Sequence, residues 1–131
     1  MILPDGNPKT IYGVSKPPLR NVPPTAIMEV GRVMALGAAK YGPMNWRLDP
    51  VSYSTYYDAA LRHLFSAWDG ADVDEESKCL HLAHAAACLM ILIDADEGGT
   101  LLDDRPAKGV AAEYITTHTK ALTNGNPEVQ A

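Results

Sequence analysis

The stretch SKCLHLAHAAACLMILIDADE, Ser77 to Glu97, decides how this chain is read. Its middle is apolar nearly all round, which predicts a helix buried on several sides. The preceding DGADVDEES reads as a connector ending in a cap signal, and DEGG stops the helix. In a chain this small, burial on several sides implies an interface between subunits as well as an internal core. Two imidazoles, His81 and His84, stand one turn apart inside the greasy run and share a face with Ser77 and Cys88.

Two more helices are predicted upstream. The first starts after the Pro23-Pro24 pair with Thr25 as cap. Ile27, Val30, Val33 and Met34 form its apolar stripe, and Gly42-Pro43 stops it. The second spans Ser54 to Asp69, with Tyr57, Leu61, Leu64, Phe65 and Trp68 at helical spacing. Met1 to Pro24 is rich in Pro and Gly and is expected to be an extended arm. That arm is either a loose end or a strap across the body or a neighbouring subunit, anchored by Leu19 and Val22, with Lys16 pointing at a ligand. One weak helical segment, Ala107 to Leu122, precedes the polar end NGNPEVQA. No strand pattern of any length is visible. The expected fold is all-α: one domain, 1–131, with an arm (1–24), a helical core of three main helices (25–97) and a tail (98–131).

Bulk properties narrow the function. At 131 residues the chain is one domain with room for a real core, and 47% apolar residues argue against wholesale disorder. The net charge is −5 with no run of Lys or Arg, so direct nucleic-acid binding is not expected. A nucleotide remains compatible if a few cations or a metal gather in one pocket. Cys79 and Cys88, nine residues apart on the predicted helix, would lie roughly 13 Å apart, too far for a disulfide. Free thiols suit a reducing cytoplasm. No signal peptide is visible, and Leu82 to Ile93 is too short an apolar run to span a bilayer.

The polar residues fall into three sets. The third helix and its connector bring His81, His84, Asp74 and Glu76. Carboxylates suit Mg²⁺ or Mn²⁺, whereas histidines serve as metal ligands, acids, bases or hydrogen-bond donors. A His-x-x-His-x-x-x-Cys zinc set is another arrangement, and two core histidines bonded to neighbours are the bland one. On the second helix Asp58 and Arg62 are spaced for a local ion pair, and His63 follows directly. Arg62, His63, His81 and His84 could then share one interhelical cleft. Burying that much polar material without solvent or an anion would cost several kcal/mol, on the order given by transfer data. The third set is KYGPMNWR, 40–47. Lys40 suits a helix C-terminus, Arg47 can clamp phosphate, Asn45 can read a base edge, and Trp46 is either a stacking plate or core. Glu29, among apolar neighbours, is either solvated or aimed into the same cleft.

Together these stretches resemble a known family. KPPLRNVPPTAIMEVGRVMALGAAKYGPMNWR (16–47), ALRH (60–63) and DVDEESKCLHLAHAAACLMIL (72–92) look like the phage and bacterial dATP/dGTP diphosphohydrolases. These are MazZ-type relatives of the MazG-like all-α nucleotide pyrophosphatases. The resemblance covers roughly residues 16–94. It implies hydrolysis of dGTP or dATP to the monophosphate and pyrophosphate, with Mg²⁺ or Mn²⁺, in a homo-dimer or homo-tetramer, in the bacterial cytoplasm if the gene is a phage's. It implies Lys40, Tyr41, Asn45 and Trp46 beside the substrate and Arg62 on the second helix of the site; Lys16 and Arg47 join them as substrate contacts on residue chemistry. It places His63 on the second helix of the site and Asp74, Glu76, His81 and His84 in its third cluster; from their chemistry His63, His81 and His84 are the expected catalytic groups, and Glu29, Asp74 and Glu76 the expected metal ligands. The Glu-x-x-Glu and Glu-x-x-Asp pairs of MazG-like enzymes are absent. Glu29-Val-Gly-Arg32 and His81-Leu-Ala-His84 stand in their places. A protein that binds nucleotide without turning it over is therefore the rival expectation.

Overall fold

A computed structural model describes residues 5–120. The chain runs α1 (Pro8–Gly13), α2 (Pro24–Tyr41), β1 (Val51–Ser52), α3 (Tyr53–Trp68), α4 (His81–Gly98), β2 (Leu101–Leu102) and α5 (Ala111–Thr117). Single turns of 3₁₀ helix lie at Leu19–Asn21 and Asn45–Arg47. The all-α expectation holds, with α2, α3 and α4 as the three main helices.

Helix ends follow local chemistry. Pro24 opens α2, because a first-turn residue has no intrahelical use for its N–H. Gly42, at φ 93°, ends it by donating its N–H to the Ala38 carbonyl at 2.9 Å. Thr25 is therefore inside the helix rather than its cap. The first turn of α3 is capped from a distance: the Ser54 N–H donates to Asp104 Oδ1 at 2.9 Å, and the Ser54 hydroxyl donates to Oδ2 of the same carboxylate. Gly99, left-handed at φ 78°, ends α4, and the Thr100 N–H returns to the Ala95 carbonyl at 2.9 Å.

α3 and α4 pack against each other most extensively, and α2 lies on another side of α4. The pairing of β1 with β2 is parallel, Val51 opposite Leu101 and Ser52 opposite Leu102. It joins the start of α3 to the end of α4, so the two helices are antiparallel. The core between the helices is built from small side chains. Ala60, Ala83, Ala85, Ala87 and Ala95 are buried, with Val30, Leu92, Trp46 and Cys79.

Five expectations are corrected. The arm is not wholly extended, since α1 forms at Pro8. Asn7 Oδ1 accepts from the Lys9 N–H at 3.0 Å, so the proline opens a helix instead of blocking one. Leu19 (75% exposed) and Val22 are exposed and do not anchor the arm on the described residues of the chain. α4 begins at His81, not Ser77. Residues 73–80 instead form a tight hairpin turn, with Val73 bridged to Leu80 and Lys78 in the left-handed region at φ 61°. Cys79 consequently lies off the helix; both thiols are free. The periodic stripe of α3 faces outward. Trp68 is 91% exposed and Phe65 64%, while Tyr56, Ala60, His63 and Ala67 turn inward. The predicted tail helix shrinks to Ala111–Thr117; its expected end at Leu122 and the segment NGNPEVQA lie outside the described residues.

Candidate functional site

The small α3–α4 interface leaves room for a polar cluster at one end. His63 projects from α3 and His81 from the first turn of α4. Their Nδ1 atoms lie 2.9 Å apart. His84, one turn on, stacks on the His63 ring with centroids 4.5 Å apart and planes 8° from parallel. His84 Nε2 lies 2.6 Å from Ser77 Oγ. The three imidazoles thus meet, as the sequence suggested. Burial, then the neighbouring His84 and His81, push the His63 pKa down, so the ring favours its neutral form.

The hairpin ahead of α4 supplies the acid. Asp74 Oδ1 accepts from the N–H groups of Glu76 at 2.9 Å and Ser77 at 3.0 Å. The Ser77 N–H above all, helped by that of Glu76, holds the Asp74 carboxyl below its ordinary range. One ligand atom each from His63, Asp74 and His81 can be chosen so that all three lie within 4.8 Å of one another. The His81, His84 and Cys88 zinc arrangement is not formed among the described residues.

A cleft of about 670 Å³ adjoins this cluster between α2, α4 and the Asn45–Arg47 turn. Lys40, Tyr41, Asn45, Trp46 and Arg47 all line it, as do Tyr56, Ser77, His84, Cys88 and Asp94. Ser77 and His84 therefore belong to both the cleft wall and the imidazole cluster. Apolar residues of α2 and α4, including Val33, Met34, Met90 and Ile91, supply the rest.

Two cleft residues are committed to a third, Asp94. Trp46 is buried, and its Nε1–H donates to Asp94 Oδ2 at 2.7 Å. Arg47 grips the same carboxylate with two bonds. Arg47, then Trp46, lowers the Asp94 pKa to about 2. Asp94 was not singled out from sequence. Its signal was there: it continues the His84, Cys88, Ile91 face of α4 at helical spacing.

Other candidates stand apart. Glu29 pairs with Arg32 on α2 at 3.2 Å. Glu76 is exposed and outside the His63–Asp74–His81 group. Lys16, in the turn after α1, is exposed and lines no part of the cleft. Arg62 does not pair with Asp58; its charge is instead felt at His63 and at Cys88. No described helix is long and apolar enough to cross a membrane.

Fold and site together define a small helical module with an imidazole–carboxylate cluster opening on a ligand-sized cleft. Comparison with known proteins gives the family. Residues 6–105 match the model for the N-terminal part of dATP/dGTP diphosphohydrolases. A protein of Salmonella phage PMBT28 named dATP/dGTP diphosphohydrolase is 36% identical over 95 residues, covering 72% of this chain and 30% of that protein. The chain belongs to the dATP/dGTP diphosphohydrolase family, and it spans under a third of the length of that relative. No solved structure matches it.

Proposed function

We propose that this chain binds a purine deoxynucleoside triphosphate, dGTP or dATP, in the α2–α4 cleft and hydrolyses it to the monophosphate and pyrophosphate. Family membership supports the substrate class. The observation that carries the reading is the double position of Ser77 and His84, on the cleft wall and in the imidazole cluster. A cleft of about 670 Å³ is of ligand size.

In this reading Tyr41 and Asn45 hold the base and Lys40 faces the phosphates, whereas Arg62 lies outside the cleft lining. Arg47 and Trp46 act through Asp94, fixing the turn that forms the cleft floor. Water attacks the α-phosphorus, and the bond to the bridging oxygen of the β-phosphate breaks. The water's proton passes through the Ser77 hydroxyl to His84 Nε2, 2.6 Å away. His63 stacks on His84 and restrains its ring, and His81 in turn meets His63.

A divalent cation, when bound, offsets triphosphate charge and activates water. The resemblance implies Mg²⁺ or Mn²⁺, and from residue chemistry Glu29, Asp74 and Glu76 are its expected ligands. Those three do not fit as a set, because Glu29 pairs with Arg32 and Asp74 groups with His63 and His81 instead. No step is routed through a cation on them.

The missing Glu-x-x-Glu and Glu-x-x-Asp pairs favour a second reading, a protein that binds the nucleotide and releases it intact. Incubation with dGTP or dATP and Mn²⁺ or Mg²⁺, followed by product separation, distinguishes the two. Pyrophosphate with monophosphate is the expected outcome. Orthophosphate would exclude this reaction, and tight binding of nucleotide recovered unchanged would establish the second reading.

We also propose that the chain works as a homo-oligomer. Leu82 (59% exposed), Leu89 and Ile93 (66%) line one face of α4. Phe65 and Trp68 extend apolar surface along α3. Among the described residues no large side chain is fully buried. Such surface is normal at an interface between subunits and abnormal on a free monomer.

A further inference from the structure

We propose that His63, Asp74 and His81 form a site for a first-row transition-metal dication such as Mn²⁺, Co²⁺ or Zn²⁺, in preference to Mg²⁺. The three residues come from separate elements: α3, the 73–80 hairpin and the first turn of α4. Their ligand atoms nevertheless fall within 4.8 Å of one another. The site differs from the three-carboxylate set expected from sequence, and it does not depend on a nucleotide being the substrate.

Geometry supports a shared ion. Adjacent nitrogen ligands at about 2.1 Å from a metal, at right angles, are separated by about 3.0 Å. The Nδ1 atoms of His63 and His81 lie 2.9 Å apart. The Asp74 carboxylate is oriented by two backbone N–H donors to Oδ1. His84, stacked on His63 and facing Ser77 Oγ, restricts the His63 ring from the other side. Such outer contacts orient ligands in metal sites generally.

The donor set decides the ion. Two imidazoles and one carboxylate on one side, with positions left open, suit transition metals. Mg²⁺ demands near-octahedral oxygen coordination and dehydrates reluctantly. The competing explanation is a plain His63–His81 hydrogen bond, one ring donating and the other accepting, which needs no ion.

The two separate cleanly with the full chain, stripped by EDTA and desalted. Mn²⁺, Co²⁺ and Mg²⁺ are titrated alone by calorimetry, without nucleotide. One Mn²⁺ or Co²⁺ per chain is expected, with Mg²⁺ weaker by about tenfold or more, and with His81→Ala and Asp74→Asn each weakening Mn²⁺ by about tenfold or more. Asparagine keeps the Oδ1 acceptor of the turn, which guards against simple misfolding. A measurement on the unaltered chain needs no variant: substoichiometric Mn²⁺ should broaden the imidazole proton resonances of His63 and His81 and spare those of His118, just after α5. Equal broadening of His118, tighter binding of Mg²⁺ than of Mn²⁺, or no binding would overturn the proposal. Metal binding without dNTP hydrolysis would leave this site standing and remove only the catalytic reading.

Discussion

Arg47 holds Asp94 through two parallel hydrogen bonds, Nε to Oδ2 at 2.8 Å and NH2 to Oδ1 at 2.9 Å. The pair ties the turn after α2 to the last turns of α4, 47 residues along the chain. Because Trp46 donates to the same carboxylate, Asp94→Ala should lower the melting temperature more than Arg47→Ala does. The first change strands a buried indole N–H as well as the guanidinium. Arg47→Lys should not restore full stability, since an ammonium cannot supply the planar fork. Equal losses for all three variants would contradict this account.

The same carboxylate gives a pH dependence with a definite sign. Its folded pKa of about 2 lies below the ordinary 3.8. The unfolded chain therefore takes up the proton first as pH falls. The contribution of Asp94 is complete above 3.8 and disappears between 3.8 and about 2. Urea midpoints of the wild type and Asp94→Asn, measured from pH 6 to pH 2, should converge across that window. A gap that widens on acidification would reverse the sign argued here.

Lys78 sits at φ 61° in the hairpin before α4, a conformation costly for a side chain with a Cβ. Its exposed pairing with Glu75 returns little of that. Lys78→Gly should raise stability by up to about 1 kcal/mol, and Lys78→Val should lower it. Denaturant unfolding measures both.

The outward apolar faces predict assembly. Sedimentation should find the wild type above monomer mass, and Phe65→Glu with Ile93→Glu should shift it toward the monomer. A wild-type chain that sediments as a monomer at all concentrations would remove the oligomer.

Lys40 lines the cleft and is the exposed cation at the end of α2. Lys40→Ala should weaken dGTP or dATP binding about tenfold and leave affinity for the bare deoxynucleoside nearly unchanged, as expected for one charged contact to phosphate. Parallel titrations with both ligands test it.

The three long helices were readable because periodicity and Gly–Pro stops are local signals. So was the meeting of His63, His81 and His84, since i, i+3 spacing on one helix needs only a neighbour of the right register. What sequence could not show was which face of α3 turns inward. Its apolar stripe through Phe65 and Trp68 marks the helix but not its buried face: the alanines and His63 face α4, because close helix approach admits only small residues. The start of α4 was misplaced for a related reason. Asp74 and the left-handed Lys78 close a hairpin that keeps Ser77 and Cys79 off the helix, and a lysine gives no hint of such a turn. Asp94 escaped notice because its partners, Trp46 and Arg47, lie far away in sequence.

The two-residue pairing of β1 with β2 works as a latch on the α3–α4 hairpin. The Val51 N–H donates to the Thr100 carbonyl at 3.1 Å, across the point where one helix begins and the other has ended. Slippage of one helix past the other must first break that link and release the Ser54–Asp104 cap beside it. In hydrogen–deuterium exchange, the amides of Val51 and Ser54 should therefore open together, as one cooperative event rather than as frayed ends.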